Sequence, residues 1–169
     1  MSIAASLLPE FDHEMASTRK VLERLPADKA DWKPHAKSFA LGALAQHVAE
    51  LTGWATMAVR TSEFDMNPPG GAGYTAPAFT TKEALLAAFD RSAAEARAAI
   101  AGASDADLMA GWSLKNAGQT IFTIPRVGVV RTWVLNHVIH HRGQLSVYLR
   151  LLDVPVPAIY GPSADEQGM

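Results

Sequence analysis

The chain has 169 residues, 15 basic against 17 acidic, no cysteine, 49% hydrophobic and 19% charged residues. That is one domain, residues 1–169, too apolar for disorder and long enough to bury a core without staples. The composition excludes disulfides and thiolate metal sites, and it offers no basic excess for a phosphate backbone, so no nucleic-acid partner is expected.

In chain order, the first helical pattern runs from about Ser2 to Leu25, with Leu8, Phe11, Met15, Thr18, Leu22 and Leu25 at three- and four-residue steps. Pro9 interrupts it and suits a first turn, which puts the true start near Leu8. A polar loop, Ala27 to Ser38, leads to a second helix from about Leu41 to Ser62, with Leu44, His47, Val48, Leu51, Ala55 and Ala58 as its apolar stripe. Glu63 to Phe79 carries Pro68, Pro69, Gly70, Gly71, Gly73 and Pro77 and reads as a long crossover loop. Thr81 is the predicted N-cap of a third, Ala-rich helix that ends at Gly102.

Ser104 to Thr123 reads as irregular, with no strand pattern competing. A fourth helix follows from Pro125 to about Leu152, on the order of 40 Å long. The tail, Ala158 to Met169, reads as loop. Four helices of this length make an all-α four-helix bundle the expected fold. No apolar stretch approaches the roughly 20 residues that span a bilayer. The acidic Glu10, Asp12 and Glu14 follow an N-terminus without a basic region, so a soluble, cytoplasmic protein with no membrane partner is expected.

The histidines carry the chemical signal. His137 and His141 lie four apart on the fourth helix, one turn apart on one face. Val130, Val134, His137, His141, Leu145, Tyr148 and Leu152 form the inward stripe, so two imidazoles stand where leucines are expected. His47 occupies an inward position on the second helix. Three buried imidazoles without partners would each cost on the order of 1–3 kcal/mol. One divalent transition metal satisfies all three, and three protein ligands leave a position open for water or substrate. Neutral imidazole suits zinc, nickel, copper or iron, and zinc and nickel are the first expectations.

His140 offers an alternative pairing with His137, but the apolar stripe selects His141 and turns His140 aside as an outer partner. Gln144 and Glu50, each three residues beyond a proposed ligand, are the other outer candidates, with Gln144 placed to bond a bound water. His13, between Asp12 and Glu14, reads as solvated and His35 as incidental. Gly143 within the helix implies close backbone packing. Arg142 and Arg150 read as salt-bridge residues or anion anchors. No catalytic side chain stands out.

The run His137-Val-Ile-His-His-Arg-Gly-Gln-Leu, continuing to Val154-Pro-Val-Pro and Tyr160-Gly-Pro-Ser, resembles the last helix and tail of the DinB-like (damage-inducible) family. Leu44-Ala-Gln-His47-Val-Ala-Glu-Leu, after Trp32-Lys-Pro-His, resembles that family's second helix. The resemblance implies a four-helix bundle with a histidine-triad metal site at His47, His137 and His141, often as a homodimer. It also implies thiol-dependent transferase or mycothiol-dependent isomerase chemistry for some members. Because this chain has no cysteine, such a thiol would arrive on a low-molecular-weight cosubstrate. The competing expectations are a non-catalytic, stress-related metal- or ligand-binding dimer, and a metal-free bundle with hydrogen-bonded histidines.

Overall fold

The computed structural model describes residues 1–167; the last two residues of the expected tail, 168 and 169, lie outside the described residues. Helix α1 (Ile3–Glu23) begins where Ser2 Oγ accepts the Ala5 amide at 3.2 Å. It starts well before Leu8, and Pro9 lies inside it. The missing Pro9 N–H costs one backbone bond, but Leu7, Phe11, Met15 and Leu22 bury one continuous face across it, and packing outweighs the local penalty.

A 3-10 turn (Ala27–Lys29) and the following loop fold back onto the start of α2 (Leu41–Arg60). The Leu41 amide donates to Trp32 O and the Gly42 amide to Ala30 O. A Cβ at Gly42 would lie 2.9 Å from the Phe79 ring, so glycine lets the end of the crossover segment seat on this turn. The third helix, α3 (Lys82–Gly102), is capped by Thr81 Oγ1, which accepts the Ala84 amide. It buries Leu85, Phe89, Ala96 and Ile100.

The segment expected to be irregular is ordered. Helix α4 (Asp105–Met109) opens with a capping box between Ser104 and Asp107. It leads into strands β2 (Gly111–Asn116) and β3 (Gln119–Pro125). These pair antiparallel, and β1 (Glu63–Asp65), at the start of the crossover segment, pairs parallel to β2. The purely all-α expectation is therefore corrected: the fold is helical with a small three-stranded sheet ordered β1-β2-β3. Ala117 (φ 51°) and Gly118 (φ 77°) form a two-residue turn with both residues left-handed, the geometry that matches strand twist. Trp112 and Leu114 point inward from β2 and pack with Ala58 and Val129 as a separate small core. Trp112 Nε1 donates to Thr61 Oγ1, and Arg126 donates to the carbonyls of Thr61 and Asp107, which ties the sheet to α2 and α4.

The last helical run has three parts: α5 (Arg126–Gly128), a π-helical segment (Val129–Leu135) and α6 (Asn136–Leu151). The π segment buries Val129, Val130, Val134 and Leu135 completely. Its wider turn shifts the rotational phase of everything after it, including His137 and His141. Around the main core, α1 packs on α3 and α6, and α2 packs on α3, α6 and the π segment. Helices α2 and α6 are therefore neighbours, which brings their histidines together. No helix among the described residues is long and apolar enough to cross a membrane.

Candidate metal centre

His47 projects from the second turn of α2, between the fully buried Leu44 and Val48. His137 and His141 stand one turn apart on α6, which faces it. His47 Nε2 lies 3.5 Å from His137 Nε2. The ring centroids of His47–His141 and His137–His141 are 4.8 and 4.7 Å apart. One ring nitrogen from each of the three lies within 4.8 Å of the others. Tetrahedral zinc with bonds of about 2.0–2.1 Å holds its nitrogen ligands roughly 3.4 Å apart, so the donor set fits a transition metal with small ring adjustments. No further His, Asp or Glu among the described residues joins this group.

The environment favours neutral, ligating imidazoles. Burial pushes His47 down to about 4, helped by repulsion from His141 and His137. His137 is lowered by burial and by His141, partly offset by the Trp133 backbone. His141 is lowered by burial, against an opposing hydrogen bond to Gln144.

The expected outer residues divide. His141 Nδ1 donates to Gln144 Oε1 at 2.7 Å, and Gln144 Nε2 donates to His140 Nε2 at 3.1 Å. Gln144 thus bonds the His141 ring itself, where the sequence had suggested a bound water. That bond leaves the other nitrogen of His141, Nε2, free for a metal. His140 is exposed and acts through Gln144. Glu50 makes no bond to the triad; its Oε2 is buried without a hydrogen-bond partner. Burial pushes its carboxyl up, offset in part by a hydrogen bond with the Trp54 side chain.

Two features escaped the sequence reading. Phe39, in the loop before α2, stacks on His47 at 6.1 Å and sets its edge toward His141 at 6.4 Å. It borders two of the three imidazoles, and only proximity in the fold reveals it. The second feature is a buried ion pair beside the triad. Arg142 Nη1 lies 2.7 Å from Glu14 Oε2, and Arg142 Nη2 donates to Tyr160 Oη at 2.7 Å. Tyr160 in turn donates to the Glu14 carboxylate at 2.8 Å. Its ring also stacks on the exposed His13, so that side chain is not simply solvated. Arg142 is the salt-bridge residue that the sequence allowed, but nothing in the sequence pointed to Glu14 or to the tail's Tyr160 as its partners. Gly143 has open space around its Cβ position, so none of the described residues packs closely there.

The sequence profile of the DinB superfamily matches residues 10–145, and the chain belongs to that superfamily. A crystal structure of a DinB-like protein from Bacillus cereus superposes with a TM-score of 0.69 at 22% identity, covering 94% of this chain and 98% of the other. A DinB-like protein from Bacillus subtilis superposes with a TM-score of 0.68 at 16% identity, covering 97% of this chain and 99% of the other. At these identities the likeness establishes the fold. No curated protein matches the sequence.

Proposed function

We propose that this member of the DinB superfamily is a metal-dependent enzyme in which His47, His137 and His141 hold one divalent transition ion, zinc or nickel. The observation that supports this most directly is the convergence of three imidazole nitrogens within 4.8 Å without a fourth protein donor among the described residues. A structural site closes its fourth position with protein, whereas a catalytic one leaves it to water or substrate. Thiol transfer is the reaction class we favour. The chain has no cysteine, so the sulfur nucleophile comes on a low-molecular-weight thiol.

When bound, the ion supplies a Lewis acid that favours ionisation of a thiol at the open position. The chain's own residues do the rest. Gln144 fixes the tautomer of His141 through the 2.7 Å bond, with its amide held in turn by His140. Phe39 sets an apolar ring beside His47 and His141. The lowered proton affinity of all three imidazoles keeps them available as ligands at neutral pH.

The test is a transfer assay on zinc-loaded and nickel-loaded protein, with glutathione or cysteine as the thiol and 1-chloro-2,4-dinitrobenzene as the acceptor. The expected result is thiol-dependent turnover that His137→Ala and His141→Ala abolish. Turnover that survives the loss of both ligands would refute the assignment.

A further inference from the structure

Two cavities open beneath the crossover segment. One, of about 330 Å³, is lined by His47, Phe39, Glu50 and Phe79. The other, of about 300 Å³, is lined by Trp54, Phe64, Tyr74, Met57 and Glu50. Glu50 and Pro77 belong to both linings, so Glu50 stands on the wall between the triad side and the aromatic side. It lies one turn beyond His47 on the same face of α2.

Three observations define what the aromatic cavity takes. Glu50 Oε2 is one of only two buried side-chain polar atoms left without a partner among the described residues. Native structures rarely leave such an atom without a donor, and a ligand is one way to supply it. Trp54, Phe64 and Tyr74 meet almost at right angles, with centroids 5.5, 6.0 and 5.8 Å apart at 72°, 80° and 81°. Their planes form the corner of a box, and a ring face attracts a cation. The remaining lining is mainly apolar, with Gln46 and Ser92 as its uncharged polar members.

We propose that this cavity is a subsite for an organic ammonium group, an alkyl or arylalkyl amine, whose N–H donates to the Glu50 carboxylate while its carbon substituent packs against Trp54, Phe64 and Tyr74. The ionised carboxylate of Glu50 rejects an anion, and a hydrocarbon leaves it without a donor. That such a ligand is a substrate or cosubstrate rests on the metal-centre reading. The binding itself does not, because no triad residue lines the aromatic cavity.

Calorimetric titration with three matched probes tests this: 2-phenylethylammonium, 2-phenylethanol and 3-phenylpropionate, each into zinc-loaded and metal-stripped protein. The ammonium is expected to bind about tenfold more tightly than the alcohol, the difference between a charge-assisted and a neutral hydrogen bond, with the carboxylate weakest. Glu50→Gln keeps the shape and should reduce the ammonium–alcohol gap to within about twofold. Gly53→Leu should weaken all three, because Gly53 lines the cavity and a Cβ there meets only Ser92 Oγ, at 3.9 Å. Thermal melting confirms that each variant is folded, and should Gly53→Leu fail to fold, the Glu50→Gln comparison decides alone. Equal binding of ammonium and alcohol, no binding of any probe, or a gap unchanged in Glu50→Gln would overturn the proposal. Ammonium selectivity that persists in metal-stripped protein, whatever the outcome of the transfer assay, separates this subsite from the metal reading.

Discussion

Two polar clusters lie side by side on α6, and neighbouring residues enter them: His141 the triad, Arg142 the ion pair. In the Arg142 cluster the chain meets its own needs. Arg142, 1% exposed, bonds the side chain and carbonyl of Glu14, Thr18 Oγ1 and Tyr160. In the triad the imidazoles face one another with a single long contact between His47 and His137, and only His141 has a short side-chain partner in Gln144. The first arrangement is complete as it stands. The second puts three electron-pair donors around one point, where a metal ion could be held. Burial of polar groups alone therefore does not mark a functional site; what matters is whether the chain supplies the partners.

The largest effect is expected at the ion pair. Arg142→Ala or Glu14→Ala leaves an uncompensated buried charge and should cost about 3–5 kcal/mol in denaturant unfolding. The double variant Glu14→Leu/Arg142→Met should recover most of that loss. If the single variants cost less than 1 kcal/mol, the cluster is not the structural anchor described.

The triad should behave in the opposite way. His137→Ala should leave the metal-free stability little changed. Added zinc at about a hundred times its Kd should stabilise the wild type by about 2.7 kcal/mol and leave the variant unmoved. Differential scanning calorimetry with and without zinc reads both. A smaller effect is expected at Gln144. Gln144→Ala frees the His141 ring and should weaken zinc binding by about 10–100-fold in a competition titration with a chromogenic chelator.

Metal-free stability should also depend on pH. The folded-state pKa of His47 is lowered to about 4, below its unfolded value, so the unfolded chain binds more protons between those two values. Metal-free stability should thus be highest above about pH 6.5 and fall as pH drops toward 4. Thermal melts across that window should show the decline, and it should be shallower in His47→Gln. A Tm that rises on acidification would contradict the environment assigned to His47.

How much of this the sequence foretold follows from the range of the forces involved. Helical periodicity is local, so the stripe through Val134, His137, His141 and Leu145 located two donors, and the inward phase of His47 located the third. Pairing of β1 with β2 joins residues some fifty positions apart and leaves no local periodicity long enough to compete with helix signals. The hairpin turn was further concealed because Ala117 takes a left-handed conformation usually given to Asn or Gly. Glu14 is a charged residue at a core position, and its partner Tyr160 lies in a tail without periodic pattern. The π segment before His137 has no composition that distinguishes it from an α-helix. Phe39 and the cavity around Glu50 depend on where two loops settle, which is a property of the assembled fold.

The most direct test is the metal content of the purified protein by elemental analysis, measured beside the His137→Ala/His141→Ala variant. About one zinc or nickel per chain is expected in the wild type and none in the variant, which still folds. A wild-type protein that carries no metal and takes up neither zinc nor nickel on addition would contradict the assignment.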